Sequence, residues 1–413
     1  MRDVELYRHL LGLLPPWTVD RVELSVHEGR VDVWARHAKG ERWACPVCGV
    51  QLGVYDHSEE RTWRHLDSCQ FLTFLHARPV RVKCPEHGVK QVAVPWAEGN
   101  ARFTSLFERM AIDVLQETSV EGGASLLRLS WDQAWHIMER AVARGRARKE
   151  AKPIARIGVD EKAVAKRHQY FTLVYDIDGG CVEDIQEGRK KESLDAYFTQ
   201  LTSDQLDGIE AVAMDMWEPF VSSVKEHLPD AEEKIVFDRF HIMKHMVDAV
   251  NDVRKQEHRA LMKEEDETLK GTRNLWLYSS ENVPVEKRRV FSTLRALDLA
   301  TGRAWAIKEN LRRLWSYVSE AWARKHWKHW YFWATHSQLK PVIKVARMIQ
   351  SHLVNVLTYT KHRITNAVAE GVNSKVETVK KMACGYRNKQ HFKTAIYFHC
   401  GGLDLYPATH GEV

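Results

Sequence analysis

The sequence predicts a multidomain α/β protein in which a small β domain and a helical segment precede a mixed sheet flanked by helices. Three observations predict it. Residues 1–100 alternate apolar and polar side chains at the period of a strand, whereas from residue 103 the apolar positions recur at helical spacing. After Pro153 short apolar strands return, and from residue 241 to about residue 357 the pattern is helical throughout. A chain of 413 residues can bury a large core and suits two to three domains.

Taken in order, VELSV and VDVWARH flank His27-Glu28-Gly29-Arg30 and predict a hairpin, and FLTFLHARPVRVKC alternates similarly. FTSLFERMAIDVLQE and WDQAWHIMERAVARG predict helices, and the small, basic run from Gly145 to Lys152 predicts a linker. IARIGVD, QYFTLVYDI and CVEDIQE predict three strands, the last two joined at Asp178-Gly179-Gly180. KESLDAYFTQLTSD then predicts a helix, IEAVAMD a buried strand, MWEPFVSSVKEHL a helix stopped at Pro229, and EKIVFD another strand. Three strands followed by helix, strand, helix and strand is the order of a ribonuclease-H-like core. Tryptophan-rich helices run on to about Leu357, and NAVAEGVNSKVETVKKMA predicts a last helix ending near Cys384-Gly385. The expected segments are 1–100, 101–150, 151–240, 241–357 and 358–413.

No apolar run approaches the roughly 20 residues that span a bilayer, and MRDVELYRHL has no apolar signal core. A cytoplasmic protein without a membrane partner is expected. The net charge of +6 decides little, but Arg140 to Lys152 (RAVARGRARKEAK) and Lys361 to Lys393 are both rich in Lys and Arg, a distribution suited to phosphates. Seven cysteines, an odd number, exclude a secreted disulfide framework. Cys69, Cys181, Cys384 and Cys400 have no CxxC partner and are expected as buried apolar fillers.

The other three cysteines fall in Cys45-Pro-Val-Cys48 and Cys84-Pro-Glu-His87, each followed at once by Gly. Two ligands separated by two residues in a tight turn face one ion, and two such turns complete a closed tetrahedral Zn2+ site. Strand-like sequence fills the gap between them, so the turns belong at the ends of paired strands. A closed site leaves no position for substrate, and its role is structural.

Ser119 to Ala143 reads as a helix, a turn near Leu129-Ser130, and a second helix capped by Ser130, the pattern of a helix-turn-helix. Trp131, Trp135 and Met138 share the apolar face. Gln133, His136, Arg140 and Arg144, with Arg146 and Arg148 beyond them, suit a major groove and its phosphates.

Asp160 ends or lies within the first strand of the mixed sheet, Asp215 closes IEAVAMD, and Glu370 sits on the late helix in TNAVAEGVNSK. Any single carboxylate is ordinarily a surface group. Carboxylates on neighbouring strands project to one side, however, and a helix packed against them delivers a third. Such a set holds two divalent ions about 3.5–4 Å apart for phosphodiester transfer.

IGVDEKAVAKRHQYFTLVYDID, AVAMDMWEPF, IVFDRFHIMKH and TNAVAEGVNSKVETVKKMACGYRN together resemble the catalytic blocks of DDE transposases, in particular those of the ISL3 insertion-sequence family. The resemblance covers most of the chain and keeps the family order. It implies that Asp160, Asp215 and Glu370 form the acidic triad that holds two Mg2+ ions, with Mn2+ as a substitute. It also implies that the helical stretch interrupts a ribonuclease-H-like core. Asp238, His241 and Asn373 are expected as supporting positions, and Lys375, Lys380, Lys381 and Arg387 as a track for the DNA backbone. The implied activity is binding of an element's terminal inverted repeats, metal-dependent strand cleavage and strand transfer. The implied partners are double-stranded DNA and a second copy of the chain, in a dimer or higher oligomer associated with the bacterial nucleoid. A nuclease with the same core and a domesticated DNA-binding regulator are the alternatives.

Overall fold

The computed structural model describes residues 3–150, 152–165 and 169–408. They form two compact units: Met1–Glu150 with Val379–His399 and Leu403–Val413, and Ala151–Thr378 with Cys400–Gly402.

In the first unit a short helix, α1 (Asp3–Leu10), which the strand-like pattern did not announce, precedes nine strands. These are β1 (Trp17–Ser25), β2 (Arg30–His37), β3 (Arg42–Ala44), β4 (Gln51–Gly53), β5 (Asp56–His57), β6 (Arg61–Ser68), β7 (Phe71–Ala77), β8 (Val80–Cys84) and β9 (Gly88–Gln91). β1 and β2 form the expected hairpin, with Ser25 opposite Arg30 and Gly29 at φ 64°, a conformation only glycine takes without strain. One sheet has the order β1-β2-β7-β6, a second β5-β8-β9, and β3 pairs with β4 alone. Trp17, Trp63 and Trp96 are buried edge to face, with centroids 4.9 Å (Trp17–Trp96) and 5.4 Å (Trp63–Trp96) apart.

Three helices follow: α2 (Ser105–Glu117), α3 (Val120–Leu127) and α4 (Trp131–Arg148). Thr104, Ser119 and Ser130 each accept a hydrogen bond from a backbone N–H of the first turn, and Ser130 and Gln133 cap each other reciprocally. The expected linker from Gly145 is corrected here, because α4 continues through Arg148. Gly145 lies inside that helix, at a position where a Cβ would stand 2.7 Å from the Leu403 side chain. The last turns are held by Arg148, whose guanidinium donates to the Tyr406 carbonyl at 2.6 Å and to Asp404 at 3.0 Å. Ala151 lies outside the described residues. The cysteine expectation also needs correcting: Cys69 and Cys384 are exposed, Cys181 is intermediate, and Cys400 alone of the four is buried. Cys69 (φ 57°) and Cys384 (φ 52°) occupy left-handed turn positions just after β6 and α17 (Ala367–Met382), where chain reversal rather than burial sets their exposure.

The second unit contains β10 (Arg156–Ala165), β11 (Gln169–Asp176), β12 (Cys181–Glu187), β13 (Ala211–Met214) and β14 (Ile235–Phe237). They form one sheet in the order β12-β11-β10-β13-β14. β10, β11 and β12 are antiparallel neighbours, whereas β10, β13 and β14 run parallel. α5 (Lys191–Phe198) and α6 (Ser203–Asp207) replace the single helix expected there, because Thr202 and Gln205 form a second reciprocal cap that restarts the helix. α7 (Glu218–His227) and α8 (Ala231–Lys234) connect β13 to β14.

The helical stretch then opens with α9 (Arg239–Lys263) and continues as α10 (Arg273–Leu277), α11 (Arg288–Ala296), α12 (Ala300–Arg312), α13 (Glu320–Thr335), α14 (Lys340–Ser351), α15 (Leu353–Leu357) and α16 (Tyr359–His362). Its buried side chains and those of the sheet make one continuous core from Ile157 to Leu357. Glu257 on α9 caps α12 in trans, accepting from the N–H groups of Ala300 and Thr301 at 2.7 Å each. The tryptophans divide. Trp276, Trp305, Trp315, Trp327 and Trp330 are buried, while Trp322 and Trp333 are exposed. α17 and α18 (Lys389–Cys400) complete the chain's helices, and among the described residues none is long and apolar enough to cross a membrane.

Trp330 is 1% exposed and donates its indole N–H to the Ile307 carbonyl at 2.9 Å. Trp330→Ala is expected to cost about 3–5 kcal/mol, because it leaves a cavity and an unpaired carbonyl. A thermal melt should show this as a loss of several degrees, whereas an unchanged melting temperature would remove Trp330 from the core.

Candidate metal centres and DNA-binding elements

Each predicted metal turn sits at the tip of a hairpin. Cys45–Cys48 lies between β3 and β4, which pair from Ala44↔Gln51 outward, and Cys84–His87 lies between β8 and β9, which close at Cys84↔Gly88. Gly49 (φ 76°) and Gly88 (φ 65°) take the left-handed conformation that reverses the chain after each ligand pair. The ligand atoms of Cys45, Cys48, Cys84 and His87 all lie within 4.8 Å of one another. Cys48 Sγ and Cys84 Sγ are 3.7 Å apart. A tetrahedral ion with Zn–S bonds of about 2.3 Å separates its sulfurs by about 3.8 Å, so the cluster fits zinc. Backbone N–H groups of Cys48 and then Val47 lower the Cys45 thiol to about 7, toward the thiolate that a metal needs.

In the second unit the sheet register determines where the acidic residues stand. β10 pairs with β13 through Gly158↔Ala213, so two residues further along both strands Asp160 and Asp215 come level. β13 pairs with β14 through Met214↔Phe237, which sets Asp215 beside Asp238 at the next step. Three carboxylates thus stand at one end of three adjacent parallel strands, where α/β sheets bind ligands. Gly158 lets α17 approach β10, since a Cβ there would lie 3.1 Å from Asn366 Oδ1. The first turn of α17 carries Glu370.

Asp160 is fixed on both oxygens: Oδ1 accepts from the Glu161 N–H at 2.7 Å and Oδ2 from the Asn373 amide at 2.5 Å. Asn373 in turn accepts from the Tyr175 hydroxyl at 2.7 Å. Asp238 caps α9, and His241, one turn in, has Nδ1 2.6 Å from Asp215 Oδ1 and 2.9 Å from Asp238 Oδ2. Asp215 Oδ1 is buried, and its close contact is with His241. Like charges crowd here. Burial and then the Asp215 charge push the Asp160 carboxyl up to about 6, and burial and then the Asp238 charge raise Glu370. Asp215 and then Asp238 draw His241 up to about 10.

The family model described as "Transposase" matches residues 157–396, more than half of the chain. The model described as "zinc-finger of transposase IS204/IS1001/IS1096/IS1165" matches 41–87, and "Helix-turn-helix domain of transposase family ISL3" matches 92–142. The chain belongs to the transposase family ISL3. It is 27% identical over 395 residues to a transposase for insertion sequence element IS1001 from Bordetella parapertussis, covering 94% of this chain and 97% of that one. A transposase for insertion sequence element IS1557 from Mycobacterium tuberculosis is 26% identical over 419 residues, with 94% of each covered.

For this ISL3 transposase the zinc-finger match encloses all four ligands, and the helix-turn-helix match encloses α2, α3 and the first two-thirds of α4. The chain is therefore a DNA-binding transposase with an N-terminal zinc ribbon. The basic run of α4 divides by its carboxylate partners. Arg140 and Arg144 both reach Glu108, which is 2% exposed and would be costly unpaired, and Arg144 also holds Glu98 at 2.7 Å. Together with Arg148, these arginines have carboxylate partners within the fold. His136 and Arg146 are exposed, Arg146 lying over the Tyr397 ring, while Gln133 is engaged in the Ser130 cap. Lys375, Lys381 and Arg387 are exposed and Lys380 is half-buried. Sequence reading missed Tyr175 and His245, which lines the same cavity as Asp160, Asp215 and His241. No spacing marks Tyr175, which meets Asn373 only through the fold, whereas His245 lies one turn after His241 on α9.

If the hairpin tips hold zinc, chelation releases about one Zn2+ per chain, and Cys84→Ser purifies without it. Metal analysis of the purified chain checks this, and a wild-type chain carrying no zinc would refute it.

Proposed function

We propose that the second unit is a ribonuclease-H-like nuclease core in which Asp160, Asp215 and Glu370 hold two Mg2+ ions, with Mn2+ as a substitute. Asp238, His241 and Asn373 support them. The observation that carries the reading is the register that brings Asp160, Asp215 and Asp238 level, with His241 against both Asp215 and Asp238. The donor set is mainly carboxylate oxygen, the preference of a hard divalent cation. When bound, the ions lower the cost of charge on the attacking and leaving oxygens of an in-line displacement.

The chain's own groups set the geometry. Asn373 and the Glu161 N–H hold Asp160 in one orientation, and Tyr175 holds Asn373. Asp238 and His241 fix the other side of Asp215 and place a positive charge between two carboxylates. In the first reaction water oxygen attacks phosphorus at an element end, the bond to the 3′ oxygen breaks, and that oxygen leaves as a 3′-OH. In the second, that 3′ oxygen attacks a target phosphorus and the target's own 3′ oxygen leaves, so no enzyme-linked intermediate is required. The zinc ribbon and α3–α4 bind the terminal inverted repeats, with His136, Arg146, Lys375, Lys380, Lys381 and Arg387 contributing phosphate contacts. Because two ends must meet, the working form is a dimer or larger.

With a duplex carrying the element's ends and Mg2+, Asp215→Asn should bind as wild type does while cleavage and joining fall to background. Joined product from the variant would overturn the assignment. Tyr175→Phe leaves Asn373 without its donor, and its cleavage rate should drop about tenfold, with a higher Mg2+ concentration needed for half-maximal rate. A drop in rate with an unchanged Mg2+ requirement would make Tyr175 a packing residue only.

A further inference from the structure

The active-site cluster leaves one exposed surface of the second unit without a role. On α13, Trp322, Lys325, His329 and Trp333 recur at intervals of three, four and four residues and so form one stripe along the helix. Trp322 is 57% exposed and Trp333 41%, although Trp327 and Trp330 on the same helix are fully buried. The stripe borders an open cavity of about 380 Å3, to which Arg313 and Tyr317 also contribute. No carboxylate lines it among the described residues. Lys325 Nζ stands 5.0 Å from the Trp322 ring centre.

We propose that this stripe binds unpaired single-stranded DNA, with bases stacked on Trp322 and Trp333 and the backbone drawn along Lys325, His329 and Arg313. Exposed indoles interleaved with cations, with no acidic neighbour in the groove, match the alternation of base and phosphate along one strand. The two indoles span 11 positions, or about 16 Å of helix, room for a few nucleotides. A duplex hides the base faces that the indoles would stack on, and the core of a protein interface is depleted in charge, whereas here Lys325 stands beside the Trp322 ring and Arg313 lines the same cavity. The inference rests on the chain being a DNA-handling transposase and is independent of the carboxylate site.

The test is fluorescence anisotropy of a labelled oligothymidine of about 12 nucleotides, with the full zinc-containing chain and no added Mg2+, beside a duplex of the same length. Trp322→Ala and Trp333→Ala should each weaken single-strand binding about tenfold while duplex binding and melting temperature stay as in wild type. Trp333→Phe, which keeps an aromatic face, should restore most of the loss, and Lys325→Glu should weaken single-strand binding most at low salt. Wild-type affinity for the oligonucleotide in the Trp322→Ala/Trp333→Ala double variant would overturn the proposal. The same holds if that variant instead changes mass in light scattering, which would make the stripe a protein contact. Failure of the carboxylate reading would appear separately, as joining by Asp215→Asn.

Discussion

Asp160, Asp215 and Asp238 are held level at one end of three parallel strands, and their mutual repulsion is the constraint around which the second unit is arranged. Burial first, and then a neighbouring carboxylate charge, disfavours the ionised form of Asp160 and Glu370. The three aspartates are therefore tied down by two helices, α17 on one side and α9 on the other. Asn373 of α17 holds Asp160, the first turn of α9 accepts the charge of Asp238, and His241 stands between Asp215 and Asp238. Strand, helix and histidine together keep a charge cluster in place that none of them would hold alone.

The zinc ribbon solves a different problem. β3, β4, β8 and β9 are three to five residues long, and short hairpins have little stability of their own in water. Joining two hairpin tips through four ligands replaces packing with coordination, which contributes folding energy directly. The four-stranded sheet of the same unit, with Trp17, Trp63 and Trp96 at its core, relies on burial instead.

Much of this was legible in the sequence because it is local. The two C-P-x-[CH]-G turns announce themselves by spacing, Ser130 and Gln133 by the capping pattern, and Asp160 and Asp215 by the apolar strands before them. What the sequence concealed is set by contacts distant along the chain. α4 runs past Gly145, on which Leu403, more than 250 positions away, leaves no room for a Cβ, and Arg148 is held by Asp404 and the Tyr406 carbonyl. Arg140 and Arg144 read as a basic run, but the buried Glu108 that claims them lies on another helix. Asp238 read as a supporting residue, and only the β13–β14 register sets it beside Asp215. Tyr175 likewise reads as one more aromatic in a strand until Asn373 is found across from it.

α9 shows why the helical stretch is not a detachable appendage. Its first turn carries Asp238 as cap and His241 as the charge between two carboxylates, and some twenty residues later Glu257 caps α12. One rigid helix therefore ties the acidic cluster to the helical core, whose buried side chains merge with those of the sheet. A rearrangement of the helical core that moved α9 by even a fraction of a turn would shift His241 relative to Asp215, since both ends belong to one hydrogen-bonded rod. The site's geometry consequently depends on packing far from it, and the buried tryptophans of α13 belong to the support of the acidic cluster as much as to the stability of their own helices.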